Sequence, residues 1–275
     1  MRQAIRADKL NFAYSGNSKN NPDKDFTISD ITLTVNEGDF VSVIGKNGSG
    51  KSTLVKLISK IITGYSGDIY FFERDIREIF RKEFSGNVSY LPQTAAMLSE
   101  ELTVFEMLLL GRYSYKKFTD FNYTKQDRET VNYCMNETGI KKMEDRYLNQ
   151  LSGGEKQKVL LTLGLVQLNI ENNPSGKILI IDEPLTYLDV NYQMEIFSIL
   201  KKLNEKGLTV IIVIHDLSLA LNFTGKSILM VNGRAVKYSD SREVITEEVL
   251  KEHFLIDSKI VSYDNKFAIN YAIKN

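Results

Sequence analysis

Apolar and polar residues alternate through residues 3–12 and again through 26–35, where Phe26, Ile28, Ile31, Leu33 and Val35 stand out. Such patterning belongs to strands with one buried face, so two antiparallel strands are expected, separated by the polar loop Ser15 to Asp25. The alternation then stops. Phe40-Val41-Ser42-Val43-Ile44, Ile178-Leu179-Ile180-Ile181 and Leu208 to Ile214 are apolar runs, as expected of strands buried on both faces of a parallel sheet. After the first run, Leu54, Leu57, Ile58 and Ile61 recur at helical spacing, which predicts a helix opening near Lys51. Residues 94–150 change character. Thr103-x-x-Glu106 and Thr124-x-x-Asp127 each have the form of a capping box that starts a helix. Further on, Ile228 to Val231 and Ala235 to Tyr238 flank Asn232-Gly233, a strong hairpin pattern. Thr246-Glu247-Glu248 starts a late helix with acids in its first turn. Two short strands around Ile260 and Phe267 are expected to turn at Asp264-Asn265.

Chemistry enters between the first buried strand and its helix. Gly45-Lys46-Asn47-Gly48-Ser49-Gly50-Lys51-Ser52 satisfies G-x-x-x-x-G-K-[ST], and it stands in the strand–loop–helix setting that this pattern requires. Glycines let the backbone curl around a phosphate without Cβ clashes, and the exposed N–H groups form an anion nest. The helix start adds its positive dipole end. Lys51 is then placed to reach the β- and γ-phosphates of a nucleoside triphosphate, with the Ser52 hydroxyl available to Mg²⁺.

A second stretch narrows the class. Leu151-Ser152-Gly153-Gly154-Glu155, followed by Gln157, places Ser152 where an N-cap stands, with Gly153 and Gly154 leaving N–H groups open to an anion. This segment resembles the signature of ABC-transporter ATP-binding subunits, and the likeness covers nearly the whole chain. It implies an α/β fold: a P-loop NTPase (RecA-like) core with an N-terminal antiparallel β subdomain and an inserted helical subdomain. On this reading residues 1–275 form a single ABC ATP-binding domain. Segments 1–93 and 151–275 make the β subdomain and nucleotide core, and 94–150 the helical subdomain.

The resemblance also implies roles. The phosphate loop, including Gly45, Asn47, Gly48, Gly50, Lys51, Ser52 and Thr53, would hold ATP. Asp182, ending the run Ile178 to Ile181, matches the Walker B carboxylate that holds Mg²⁺ with Ser52. Glu183 matches the general base that polarises the attacking water. His215, after the strand Leu208 to Ile214, matches the switch histidine at the γ-phosphate. Gln93 in Tyr90-Leu91-Pro92-Gln93 matches the glutamine that contacts Mg²⁺ and senses the partner. Tyr14 resembles the aromatic that stacks on adenine; packing at a strand end is the alternative reading. Ser152, Gly153 and Gly154 would close over ATP held by a second copy, and Asp189 in Leu185-Thr186-Tyr187-Leu188-Asp189 would lie near that seam. The chain departs from the family in three places. Tyr187 replaces a small residue, Lys158 replaces an arginine, and the segment Leu168 to Lys177 is long and reads as a surface loop.

Composition trims the possibilities. Thirty-five basic and 35 acidic residues balance to a net charge of zero, without the basic excess of a nucleic-acid footprint. The single Cys134 permits no internal disulfide and reads as a small core hydrophobe. No run reaches the ~18 apolar residues of a spanning helix. The chain is therefore expected to be soluble, with any membrane contact made through a partner. The resemblance implies a homodimer on the cytoplasmic face of the cell membrane, coupled to a multi-helix permease and, through it, to an extracellular substrate-binding protein.

Two tracts, Leu102 to Tyr113 and His215-Asp216-Leu217-Ser218-Leu219-Ala220, are similar to those of motors serving iron-siderophore, haem and cobalamin importers. Zinc or manganese importers, exporters and soluble ABC ATPases acting on nucleic acid are the competing classes. Tyr113, Tyr115, Phe118, Phe121 and Tyr123 admit two readings, internal packing of the helical subdomain or an apolar rim for the permease.

Overall fold

The computed structural model describes residues 2–14, 27–93, 101–116, 122–171, 173–183, 189–264 and 266–272. Phe26, the loop 15–25, Phe118, Phe121, Tyr187 and Asn265 therefore lie outside the described residues. The chain opens with β1 (Gln3–Ala13), β2 (Thr27–Asn36), β3 (Phe40–Ile44), α1 (Lys51–Ile58), β4 (Ser66–Phe71) and β5 (Arg74–Asp75). Next come α2 (Arg81–Ser85), β6 (Val88–Leu91), α3 (Val104–Leu109), α4 (Lys125–Glu137), α5 (Gly153–Leu168), β7 (Ile178–Asp182) and α6 (Val190–Glu205). The last third holds β8 (Thr209–Val213), α7 (Leu217–Phe223), β9 (Lys226–Val231), β10 (Arg234–Asp240), α8 (Ser241–Val244), α9 (Glu247–Val249), β11 (Ser258–Tyr263) and β12 (Lys266–Tyr271). Residues 1–76 with 211–275 form one compact unit and residues 77–210 a second.

In the first unit β1 pairs antiparallel with β2, as the alternation predicts. Its other edge takes β4, which continues to β5. The apolar pattern predicts no strand in this stretch. Residues 66–75 instead join the antiparallel sheet. Gly67 permits this: a Cβ there would lie 2.3 Å from the Lys9 carbonyl oxygen. In the same unit β3 runs parallel to β9, and β9 turns at Asn232-Gly233 into antiparallel β10. β3 is buried at every residue, including Ser42, whose hydroxyl needs partners in that setting. It finds them at 2.6 Å from Ser227 Oγ and 3.1 Å from Thr224 Oγ1, and both of these meet Ser241 Oγ at 2.9 Å. The hairpin β11–β12 forms in register, with Ile260 opposite Ile269. Asn222 on α7 binds it at both polar ends, donating to the Phe267 carbonyl at 2.7 Å and accepting from the Phe267 N–H at 2.8 Å.

In the second unit β6 runs parallel to β7, and α5 lies against both. Gly164 permits the contact, since a Cβ there would approach Leu91 Cδ2 to 2.9 Å and Ser89 Oγ to 3.0 Å. Both predicted capping boxes form: Thr103 with Glu106 starts α3, and Thr124 with Asp127 starts α4. α6 buries Ile196, Phe197, Leu200 and Leu203, an amphipathic stripe at helical spacing. Cys134 is wholly buried, and burial pushes its thiol far above the ordinary range, so it is a core hydrophobe. Among the described residues no helix is long and apolar enough to cross a membrane.

Arg112 locks this unit together. Its Nε donates to Asp127 at 2.9 Å, and its Nη1 donates to the Val166 carbonyl at 3.2 Å and to Asn169 Oδ1 at 2.8 Å. Asn169 ends α5 in the left-handed conformation, which asparagine tolerates. The pair thus ties the start of α4 to the end of α5. Burial alone would raise the Asp127 pKa, but hydrogen bonds from Arg112 and Thr124 hold it below the ordinary carboxylate range. Arg112→Met should strand this buried carboxylate and cost about 3–5 kcal/mol. Urea unfolding will show this as a lower midpoint, partly recovered in Arg112→Met/Asp127→Asn; an unchanged midpoint in the single variant would remove the lock.

Candidate functional site

The phosphate loop lies in the first unit, between β3 and α1. Lys51 is only 4% exposed, and its ammonium donates to the loop's own carbonyls, Gly45 at 2.9 Å and Lys46 at 3.1 Å. The loop is held from outside by the β9–β10 turn, where the Gly233 N–H donates to the Ser49 carbonyl at 3.0 Å. Gly45 is fixed by the same neighbour: a Cβ there would stand 2.3 Å from the Met230 carbonyl oxygen on β9. Gly48 is different. It has φ +78 and nothing within 4 Å of a Cβ, so its requirement is conformational. Gly50 caps α1 in the left-handed region. Asn47 is exposed, Thr53 buried and Ser52 partly exposed.

Two features suit this loop to a phosphate. The cradle is built from backbone and glycine around a buried cation, and Ser49 Oγ is buried with no hydrogen-bond partner among the described residues. Tyr14 follows β1 and is 43% exposed. It forms an edge-to-face pair with Phe12 at a centroid distance of 4.8 Å, and its hydroxyl lies 3.5 Å from Thr53 Oγ1. His215, in the same unit, follows β8 and is exposed. Asp216 beside it caps α7 by accepting from the Ser218 and Leu219 N–H groups.

The second unit carries the carboxylates. β7 delivers Asp182 at its last, buried position, where Tyr90 on β6 donates to Oδ2 at 2.9 Å. Glu183 follows with φ +51, a left-handed conformation that an L side chain adopts at a cost of about 1 kcal/mol. Its Oε2 accepts from Gln93 Nε2 at 2.9 Å. The structure therefore brings together two residues, 90 positions apart in the chain, that the sequence joined only through family resemblance. Strain at a glutamate directly after a buried aspartate marks a position set by its surroundings.

The same unit holds the signature. Ser152 caps α5 in a full capping box with Glu155. Arg146 donates to Glu155 at 2.8 Å and to the Gln150 carbonyl at 2.7 Å. The Ser152 N–H, aided by Arg146, holds the Glu155 carboxyl below its ordinary range. Arg146 went unread in the sequence, for nothing local to it points nine residues forward. Gly153 is exposed, whereas Gly154 is buried. Asp189 caps α6, accepting from the Tyr192 N–H at 3.0 Å. The five aromatics divide as far as they are described. Tyr115 is exposed at 38% yet anchored, its hydroxyl donating to the Gln167 carbonyl at 2.8 Å and its ring meeting the Arg112 guanidinium. Tyr123 meets the Lys116 ammonium, and Tyr113 is 77% exposed.

The family model of the ABC transporter matches residues 28–186, and the chain belongs to that family. It has the α/β P-loop fold of the family's ATP-binding cassettes, and it is an ATPase. It is 34% identical over 237 residues to the iron(3+)-hydroxamate import ATP-binding protein FhuC of Bacillus subtilis, spanning 86% of this chain and 84% of that one. To the ferric enterobactin transport ATP-binding protein FepC of Escherichia coli it is 30% identical over 239 residues, again 86% and 84% of the two chains. Among solved structures, a dimeric post-hydrolysis ATP-binding cassette bound to ADP and Pi superposes with a TM-score of 0.71 at 25% identity, over 86% of this chain and 99% of that chain.

Proposed function

We propose that this chain is the ATP-hydrolysing motor of an importer for iron chelates of the siderophore type. It works as a homodimer at the cytoplasmic face of the membrane, bound to a multi-helix permease that an extracellular binding protein supplies. The reading of the site rests above all on the Gln93–Glu183 hydrogen bond of 2.9 Å. The cargo class rests on the kinship with iron(3+)-hydroxamate and enterobactin motors.

In this mechanism the loop Gly45 to Thr53 wraps the phosphates, Lys51 neutralises the β- and γ-phosphate charge, and Tyr14 stacks on adenine. Ser52, Gln93 and Asp182 offer a hydroxyl, an amide oxygen and a carboxylate, hard oxygen donors that fit Mg²⁺. When bound, the ion supplies charge neutralisation on the phosphate oxygens. Glu183 polarises water for attack on the γ-phosphorus. The bond to the β–γ bridging oxygen breaks, giving ADP and phosphate. His215 hydrogen-bonds the γ-phosphate. Ser152, Gly153 and Gly154 of the second copy complete the γ-phosphate contact, with Asp189 at the seam, so ATP holds two copies together until it is cleaved.

Reconstitution tests the cargo. With its permease in proteoliposomes, the chain should drive ATP-dependent uptake of a radiolabelled ferric siderophore, and Zn²⁺, Mn²⁺ and cobalamin should not compete. Uptake of one of those three in place of the siderophore would reassign the importer.

A further inference from the structure

The two signature glycines are not equivalent. A Cβ built on Gly153 meets nothing within 4 Å, whereas one on Gly154 would lie 2.7 Å from Tyr192 Cγ and 2.8 Å from both Cδ atoms. The face of the Tyr192 ring therefore rests directly on the Gly154 backbone, in the first turn of α5. One helical turn on, the Lys158 ammonium lies over the same ring, 4.9 Å from its centroid, and ion-pairs with Glu195 one turn along α6. The ring thus meets both a backbone and a cation. The Tyr192 N–H in turn donates to Asp189 at 3.0 Å. One residue consequently touches the Asp189 cap with its backbone and the signature helix with its side chain.

We propose that Tyr192 is a positioning residue for ATP hydrolysis. It sets where the N–H groups at the start of α5 stand relative to Asp189, and Gly154 is a glycine in order to receive its ring. Asp189 and the signature then move as one body when the nucleotide seam closes. The proposal rests on the reading that Ser152, Gly153 and Gly154 contact the nucleotide of a second copy. It divides their labour at the Cβ position: that of Gly153 is open and that of Gly154 faces Tyr192, while the N–H groups of both stay available to the nucleotide. Lys158, which departs from the family's arginine, belongs to the same clamp.

The test is a steric rescue. Gly154→Ala should push the start of α5 off the ring by a fraction of an ångström to about an ångström, a misplacement that can lower kcat by roughly 100-fold. Binding of a fluorescent ATP analogue to the separate copy should be unchanged, because the phosphate loop is untouched. Tyr192→Ala removes the obstacle, so Gly154→Ala/Tyr192→Ala should recover most of the kcat that Gly154→Ala lost relative to Tyr192→Ala alone. Tyr192→Phe, which keeps the ring, should behave as wild type. Failure of the double variant to recover would mean that Gly154 is required by the nucleotide and not by the ring, and would overturn the proposal. So would wild-type kcat in Gly154→Ala. Gly153→Arg separates the underlying reading: nothing lies within 4 Å of a Cβ there, so full activity in that variant would remove the nucleotide contact itself. Unfolding midpoints of all variants confirm that the comparison is made on folded protein.

Discussion

Lys51→Ala should fold normally, bind ATP weakly and show no hydrolysis above background. Lys51 is nearly buried, and its ammonium is already held by two carbonyls of its own loop, at 2.9 and 3.1 Å. That is a pre-organised cation, aimed along the loop before any anion arrives. A charge-assisted hydrogen bond of this kind is worth about 1.5–3 kcal/mol, so ATP affinity should fall by roughly 10–100-fold. Hydrolysis loses more, because charge at the leaving phosphate grows in the transition state; a fall of at least ~100-fold is expected. The fold is spared, since the loop is also fastened by Gly233 and by the close approach of Gly45 to Met230. Phosphate release, titration with a fluorescent ATP analogue and circular dichroism measure the three effects. Wild-type turnover in a preparation freed of contaminating ATPases would sink the assignment.

The phosphate loop was readable because its chemistry is local. Glycines, lysine and serine follow one another, and the flanking strand and helix announce themselves by apolar spacing. The capping boxes at Thr103 and Thr124, the Asn232-Gly233 hairpin and the final strand pair were legible for the same reason. Each depends on residues a few positions apart, whose preference for one backbone conformation survives in the fold.

What the sequence hid is long-range. β4 and β5 joined the antiparallel sheet because Gly67 admits the Lys9 carbonyl, and no local pattern in residues 66–75 says which edge they choose. Ser42 stands inside a run read as apolar, yet it belongs to a ring of four hydroxyls drawn from four segments. Arg112 read as one residue of a family-like tract, whereas its buried guanidinium joins α4 to α5. Gly154 read as an opening for an anion, and its nearest demand is the ring of Tyr192. In each case a polar or glycine residue takes its meaning from a partner that folding supplies.

Glu183→Gln should stop hydrolysis and leave ATP binding intact. The substitution is close to isosteric, and a glutamine carbonyl can still accept from Gln93 Nε2, so the 2.9 Å contact survives. Glu183 already occupies a left-handed backbone conformation, and glutamine meets the same backbone cost. What disappears is the negative charge that polarises water in the proposed mechanism, and general-base catalysis contributes about 10²–10⁴-fold. Phosphate release should fall by that factor, while the affinity for a fluorescent ATP analogue stays near wild type. On the proposed mechanism a cassette that cannot cleave ATP keeps the ligand that joins two copies, so this variant should accumulate as an ATP-dependent homodimer. Light scattering with and without ATP reads that directly. Adding Gly153→Arg places bulk and charge at an exposed position with nothing within 4 Å of its Cβ, and should return the protein to monomer without disturbing α5. Ser152 would be a poorer choice, because it also caps that helix and its loss costs about 1 kcal/mol of helix stability. A Glu183→Gln protein that binds ATP and stays monomeric at high concentration would count against a site completed by a second copy. One that hydrolyses ATP at the wild-type rate would move the general base to another residue.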